Sequence, residues 1–253
     1  MKKFGAMRAL LVAVMLMIGS QAGAECGNLC DRVWWRTATE VDVQAELDGG
    51  ADVMARDKYG HTPLNWAAQT GNPETTKALL EAGADVMARD EDGSTPLHWA
   101  AEHGTPANTQ ALLDAGADVM VRDKYGRTPL HWAALAVTPA NTQALLDAGA
   151  DVMVRDKYGR TPLYWAAQSG NTVTTKALLE AGADVMARDE DGSTPLHWAA
   201  EHGTPANTQA LLDAGADAKA KDKNGKTPWD LAYTNEKLKG TKEYWALNDA
   251  QYN

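Results

Sequence analysis

Histidine is the side chain best suited to acid–base catalysis and metal binding near neutral pH, and this chain contains six histidines. His98, His131 and His197 each follow a Thr-Pro-Leu triplet, where the ring can hydrogen-bond back to a helix start as in a capping box. His103 and His202 each follow a glutamate, but they recur once per repeated segment and do not converge on one pocket. The sequence shows no nucleophile–base pair, phosphate loop or metal-ligand spacing. We therefore predict a protein that is not an enzyme and needs no cofactor or metal.

A row of methionines is the second chemical candidate, because thioethers bind copper(I). The row recurs at a constant spacing and consists of Met54, Met87, Met120, Met153 and Met186. Helices that stack lie roughly 8–10 Å apart, so at most two neighbouring sulfurs can reach one ion. We interpret these methionines as a packing ladder.

Five tryptophans recur at the same spacing: Trp66, Trp99, Trp132, Trp165 and Trp198. Aromatic rows can stack on sugars, which makes a carbohydrate site one interpretation. Each tryptophan precedes a pair of alanines, however, and alanines allow a neighbouring helix to approach closely. We therefore expect the tryptophans in the core between repeats.

The first 24 residues have the features of a secretory signal peptide. Lys2, Lys3 and Arg8 precede the apolar run at 9–19, and an Ala-x-Ala site ends at Ala24. The sequence thus predicts an exported chain, periplasmic or secreted, whose mature form is not inserted in a membrane.

The only two cysteines, Cys26 and Cys30, lie directly after this segment. An oxidising compartment favours a small disulfide loop between them, and two thiolates are too few for a structural metal site. We expect the bridge to hold the chain end.

Acidic residues outnumber basic ones. Removing residues 1–24, which contain three basic residues and no acid, lowers the formal charge from −10 to −13. Nucleic acid binding requires clustered Lys and Arg, so this charge argues against a nucleic acid partner.

A 33-residue period organises the chain. The Thr-Pro pair recurs at 62, 95, 128, 161, 194 and 227, and the Gly-Ala-Asp triplet recurs in step. Within one unit, Thr95 and Thr105 are each followed by proline, which predicts the starts of two helices. Gly116 is predicted to end the second helix in a left-handed conformation, and Gly126 is predicted to form the tip of a projecting hairpin loop.

The repeated pattern G-x-TPLH-x-AA…ALL-x-AGAD resembles the ankyrin repeat family, here in an exported, bacterial-type form with a cleavable signal peptide. The resemblance implies an all-α solenoid of stacked helix-turn-helix units with projecting hairpin loops, five full repeats and a cap at each end. The expected segments are 1–24 (signal peptide), 25–33 (cysteine segment), 34–56 (N-terminal cap), 57–89, 90–122, 123–155, 156–188 and 189–221 (repeats 1 to 5) and 222–253 (C-terminal cap).

The resemblance also implies that another protein binds the concave side, which in this family is built from hairpin tips and the ends of the first helices. Carried over to this sequence, the expected partner-binding residues are Tyr59, His61, Glu102, His103, Lys124, Tyr125, Arg127, Leu135, Ala136, Tyr158, Arg160, Glu201 and His202. The identity of the partner does not follow from these residues, and we expect the chain itself to be a monomer.

One repeat differs from its sisters. Leu135-Ala136-Val137 replaces the Glu-His-Gly triplet of repeats 2 and 5, so Val137 stands where Gly104, Gly170 and Gly203 end the first helix of their repeats. We expect those glycines to be left-handed and the helix end at Val137 to be remodelled. Either the change is drift in a redundant copy, or Leu135 and Ala136 form an exposed apolar anchor for the partner.

Three functional hypotheses besides a binding module are compatible with the sequence. They are a secreted effector acting on a host protein, a self-associating scaffold, and an enzyme with a hidden site.

Overall fold

The computed structural model describes residues 27–70, 72–136 and 139–252, and these residues contain helices and turns but no β-strand. Two short 3-10 turns, at Gly27–Cys30 and Trp34–Arg36, precede the α-helices. The α-helices in chain order are α1 (Glu40–Asp48), α2 (Pro63–Thr70), α3 (Pro73–Glu81), α4 (Pro96–His103), α5 (Pro106–Asp114), α6 (Pro129–Leu135), α7 (Ala140–Asp147), α8 (Pro162–Ser169), α9 (Thr172–Glu180), α10 (Pro195–His202), α11 (Pro205–Asp213), α12 (Pro228–Ala232) and α13 (Lys242–Asp249).

The helices form two layers. The first helices of successive repeats, α2 to α12 in even numbers, pack in one row, and the second helices, α1 to α13 in odd numbers, pack in the other. Leucines between the layers are fully buried in every repeat: Leu64, Leu79, Leu97, Leu112, Leu130, Leu145, Leu163, Leu178, Leu196 and Leu211. The predicted all-α solenoid is confirmed.

The first helices of repeats 2, 3 and 5 begin with a capping box that also joins two repeats, whereas Thr161 of repeat 4, followed by Tyr164, makes no cap bond. In α4, the Nδ1 of His98 lies 3.2 Å from the backbone nitrogen of Thr95 and accepts its N–H. The Nε2 of the same ring lies 3.1 Å from the carbonyl oxygen of Arg127, in the hairpin of the next repeat. His131 and His197 repeat both contacts, as the sequence predicts for the cap. Each ring is therefore held neutral, with the proton on Nε2.

Burial makes protonation of these rings costly. It lowers the pKa of His98 and of His131 to about 4, and it lowers the pKa of His197 as well. The first repeat uses Asn65 in the same place, where Oδ1 accepts the N–H of Thr62 at 2.8 Å and the Nδ2 group has no partner. An asparagine thus keeps the cap but loses the bond to the next hairpin.

A buried asparagine in the second helix joins each of three repeats to the repeat before it. The Nδ2 of Asn141 donates to the carbonyl oxygens of Ala100, Ala101 and Gly104, at 2.9, 3.2 and 3.0 Å. Asn108 and Asn207 make the equivalent bonds. These amides satisfy carbonyls in the last turn of a first helix that the stack shields from water.

The junction between repeats 3 and 4 lacks this amide. Repeat 4 has Thr174 in the asparagine position, and its buried hydroxyl has no partner. Ser169 and Asn171, which are less buried, bond the carbonyls of Ala134 and Ala136 instead. The side-chain hydrogen bonds that join repeats 3 and 4 therefore lie closer to solvent than those at the neighbouring junctions.

The glycines that end the first helices do not share one conformation. Gly170 is left-handed, with φ of 75°, as expected. The expectation is wrong for Gly104 and Gly203, whose φ values are −77° and −71°. A Cβ atom on Gly104 would lie 2.6 Å from the carbonyl oxygen of Ala68, so glycine is needed there for close approach of two backbones rather than for a positive φ.

The first helix of repeat 3, which has no glycine at this position, ends differently. Helix α6 ends at Leu135, one residue earlier than its sister α4, and Ala136 leaves the helix with extended backbone at φ −62° and ψ 145°. Helix α7 then begins at Ala140 rather than at a proline. The helix end is therefore remodelled, while Val137 itself lies outside the described residues.

The two ends of the stack are closed by aromatic and aliphatic side chains. At the start, Trp35 is 2% exposed and donates its indole N–H to the carbonyl of Leu29 at 2.8 Å. Cys30 is disulfide-bonded, and Cys26, its predicted partner, lies outside the described residues, as does the predicted signal peptide. At the other end, Trp229 packs edge-on against Tyr244, with ring centroids 4.6 Å apart.

Not every large apolar residue at the C-terminal end shields the stack. Leu247 is fully buried and Leu231 is partly buried, but Trp245 is 54% exposed and does not shield the stack. The buried Leu238 takes part instead, and Asn235 bonds the carbonyls of Ala200 and Gly203.

We predict that truncation after Ala220 produces a frayed or aggregating protein. The truncation removes Asn235, the carbonyl of Lys226 that His197 bonds, and the apolar cover of α10 and α11. End units of a solenoid shield apolar surface that would otherwise face water. Light scattering and a thermal melt check this, with Trp245→Ala as the matched control that should melt like the unchanged chain. A truncated protein that is soluble and equally stable would contradict the assignment of the cap.

We also predict that stability falls as the pH is lowered from 6.5 to about 4. In the unfolded chain a histidine protonates near pH 6.5, whereas His98 and His131 stay neutral in the fold until about pH 4. Stability from each ring is thus complete above pH 6.5 and lost on acidification, on the order of 2–3 kcal/mol per ring. Urea unfolding at pH 7 and pH 4.5 measures it.

The matched variant replaces His98, His131 and His197 with asparagine, the residue of the first repeat. It should be less stable at pH 7, since the bond to the next hairpin is lost, and should lose less stability on acidification. Equal acid sensitivity of the two proteins would assign the effect to other groups.

Candidate binding surface

A buried aspartate shapes each hairpin tip. In repeat 2, Oδ1 of Asp90 accepts the backbone N–H groups of Asp92 and Ser94 at 2.9 and 2.8 Å, which closes the tip. Its Oδ2 accepts the indole N–H of Trp99 at 3.0 Å, which ties the tip to helix α4. Asp123 and Asp156 make the same contacts in repeats 3 and 4.

Backbone hydrogen bonds join the tips into a continuous row. The N–H of Lys157 donates to the carbonyl of Tyr125, and the N–H of Glu190 donates to that of Tyr158, both at 2.9 Å. The guanidinium of Arg122 donates to the carbonyls of Gly126, in its own repeat, and Arg155, in the next. Backbone and guanidinium hydrogen bonds therefore connect the tips of neighbouring repeats directly.

The tryptophans pack between repeats, as the sequence predicts. The ring centroids of Trp66 and Trp99 are 6.4 Å apart, and those of Trp99 and Trp132 are 5.7 Å apart. Trp66 and Trp132 are each 8% exposed. Two of the rings, Trp66 and Trp99, also line a cavity beside the tips.

Aromatic and basic side chains expected to bind a partner lie together on this row. Tyr59 is 52% exposed and Tyr158 is 47% exposed, while Tyr125 is partly buried. The guanidinium of Arg127 lies 4.8 Å from the ring centroid of Tyr125, and that of Arg160 lies 5.0 Å from Tyr158. The tips therefore present ordered Tyr–Arg pairs.

The other charged candidates pair locally. Arg127 bonds the buried carboxylate of Asp123 at 2.7 Å, and the exposed Lys124 pairs with Asp92. At the ends of α4 and α10, the rings of His103 and His202 lie 3.5 Å from the preceding glutamates, Glu102 and Glu201. Each of these histidine rings also packs against the tryptophan of its own helix, His103 on Trp99 and His202 on Trp198. His61 lies deeper, 3.0 Å from Asp57.

The expectation of an exposed apolar anchor at the end of α6 is wrong for Ala136. Ala136 is only 3% exposed, since the helix ends one residue early at Leu135 and the side-chain amide of Asn171 donates to the carbonyl oxygen of Ala136 at 2.7 Å. Leu135 is partly buried. The two residues line a small cavity with the turn between α8 and α9, rather than an exposed apolar patch.

The methionine row lies on the loops between repeats. Each sulfur accepts a backbone N–H from the next repeat, for example that of Asp118 at 3.4 Å from Met87 and that of Asp151 at 3.3 Å from Met120. Among residues 27–70, 72–136 and 139–252, no three His, Cys, Asp or Glu side chains are grouped as a metal site requires. No helix in these ranges is long and apolar enough to cross a membrane.

The sequence analysis did not predict the structural roles of three sets of residues: the tip aspartates, the tip arginines and the buried asparagines. The aspartates and arginines carried a usable signal, since both recur in every repeat at the 33-residue spacing. The asparagines carried a weaker one, because Thr75 and Thr174 replace them in two repeats.

Comparison with known proteins agrees with this architecture. The solved structure described as the human ASB11 ankyrin repeat domain superimposes with a TM-score of 0.75 at 27% sequence identity, covering 89% of this chain and 98% of that one. No curated protein sequence matches the chain. The family described as ankyrin repeats (3 copies) matches overlapping segments at residues 41–123, 88–156, 110–189, 136–222 and 176–242. These segments span most of the chain, which therefore belongs to the ankyrin repeat family.

Proposed function

We propose that the chain is an exported, non-catalytic module that binds another protein on its concave surface, formed by the hairpin tips and the ends of the first helices. The observation that carries this proposal is the ordered row of Tyr–Arg pairs at Tyr125 and Tyr158, extended by the exposed Tyr59. Tyrosine and arginine are the residues most often found as anchors in protein interfaces.

The rigidity of the row supports the proposal. Backbone bonds link tip to tip, and each tip is closed by its own aspartate, so the aromatic anchors are positioned before a partner arrives. A partner that meets a preformed surface loses less binding energy to ordering loops.

The proposed export rests on the sequence of residues 1–24 and on the two cysteines that follow. The disulfide at Cys30 is consistent with an oxidising compartment. Export places the partner in the periplasm or outside the producing cell.

We predict that Tyr59→Ala combined with Tyr158→Ala reduces capture of the partner at least tenfold. Both rings are exposed, so their removal takes away contact area while the backbone bonds of the tips remain. The measurement is a crosslinking pull-down from the native cell envelope and medium, with captured proteins quantified by mass spectrometry. The mass of the bait itself shows whether residues 1–24 are removed.

The matched control combines Lys77→Ala with Lys176→Ala, two exposed lysines on second helices. This variant should capture the partner like the unchanged chain, and both variants should melt at similar temperatures. Equal capture of the partner by the tyrosine variant would contradict the proposal. Capture of nothing but the chain itself would also contradict it and would indicate a self-associating scaffold. A partner found only in host material would identify a secreted effector.

A further inference from the structure

A cavity lies at the N-terminal end of the concave surface. It measures about 660 Å³ and has aromatic walls formed by Tyr59, His61, Trp66 and Trp99. This volume lies within the range of about 300–1,000 Å³ that is typical of ligand pockets. We call this cavity, together with the adjoining one at Arg36, the entry pocket.

The wall of the entry pocket contains a buried donor without a partner. In repeats 2, 3 and 4 the tryptophan N–H donates to the tip aspartate of its own repeat. In repeat 1 the Nε1 of Trp66 has no partner, and the corresponding oxygen of Asp57 contacts the Nδ1 of His61 at 3.0 Å instead. An unpaired buried N–H is costly, so an acceptor that reaches the Trp66 N–H stabilises the folded chain.

The charge of the entry pocket is opposite to that of the chain. The chain has a net charge of −10, yet the cationic side chains around this pocket are Arg32, Arg36 and Lys58, and the only lining carboxylate is that of Asp57. Neither Arg32 nor Arg36 forms an ion pair with any described residue. Asp57 is already engaged, since its Oδ1 accepts two backbone N–H groups and its Oδ2 contacts His61.

We infer that the entry pocket binds an aromatic side chain and an adjacent carboxylate of the partner protein. This inference rests on the proposed function and names the chemistry of the partner segment. The carboxylate accepts hydrogen bonds from Arg32 and from His61, and the ring packs against Tyr59 and Trp99. When His61 turns to the incoming carboxylate, Asp57 becomes free to accept the N–H of Trp66, which restores the arrangement of the sister repeats.

The test uses N-acetylphenylalanine as the probe and its uncharged amide as the matched comparison. Indole N–H signals of the full chain are followed by NMR during titration, with the Trp66 signal identified from Trp66→Phe. We expect the carboxylate probe to bind at least tenfold more tightly than the amide. We also expect the Trp66 N–H signal to move downfield as it gains a hydrogen bond.

Arg32→Gln should weaken binding of the probe at least fivefold, whereas Lys237→Gln, an equally exposed cation near the other end, should not change it. Trp66→Phe should weaken binding of the probe, measured from the indole signal of Trp99. Trp198→Phe is the matched control, because the N–H of Trp198 is also unpaired but lies outside the entry pocket, and it should not change binding. Equal binding of acid and amide, or an unmoved Trp66 signal, would overturn the inference.

The probe experiment and the pull-down fail independently. A partner captured through Tyr59 and Tyr158, with no probe binding at Trp66, would leave the proposed function intact and refute the entry pocket. Probe binding with no captured protein would refute the protein partner and assign the pocket to a free aromatic acid.

Discussion

The packing of this solenoid depends on how the carbonyl groups at the ends of its first helices are satisfied. Stacking buries the last turn of each first helix against the next repeat, where water cannot reach its carbonyls. Asn141 shows the solution, because one amide group donates to three carbonyls of the preceding repeat. A buried carbonyl left unpaired costs about 1–3 kcal/mol, and the penalty recurs at every junction. The asparagines therefore couple neighbouring repeats as well as filling space.

The histidine caps couple the repeats in the other direction. Asn141 reaches back to the repeat before it, and His131 in the same repeat reaches forward to the carbonyl of Arg160. Solenoid stability is a sum of such neighbour terms, and these polar bonds contribute to it on both sides of a repeat. The Tyr–Arg pairs of the proposed binding surface are positioned by this coupling.

Much of the fold followed from the sequence because its signals are local. Threonine–proline pairs marked helix starts, and the second-helix glycines, such as Gly116 with φ of 91°, were left-handed as expected. The predictions that were wrong concern residues whose conformation or burial depends on contact between repeats. Gly104 is small because Ala68 of the previous repeat approaches it, and Ala136 is buried because its helix ends early. The entry pocket was missed for the same reason, since the His61–Asp57 contact and the unpaired N–H of Trp66 depend on the three-dimensional packing of the first repeat.

The central claim is that buried asparagine amides set the strength of each junction, and hydrogen exchange in the native state measures this directly. Thr174 replaces the asparagine between repeats 3 and 4, and its hydroxyl has no partner. We expect the backbone amides of α6 and α8 to show a minimum of protection inside the stack, lower than in α4 and α10. The variant Asn141→Thr should create a second minimum between repeats 2 and 3. Protection that is highest at α6 and α8 and falls smoothly toward both ends would contradict the account.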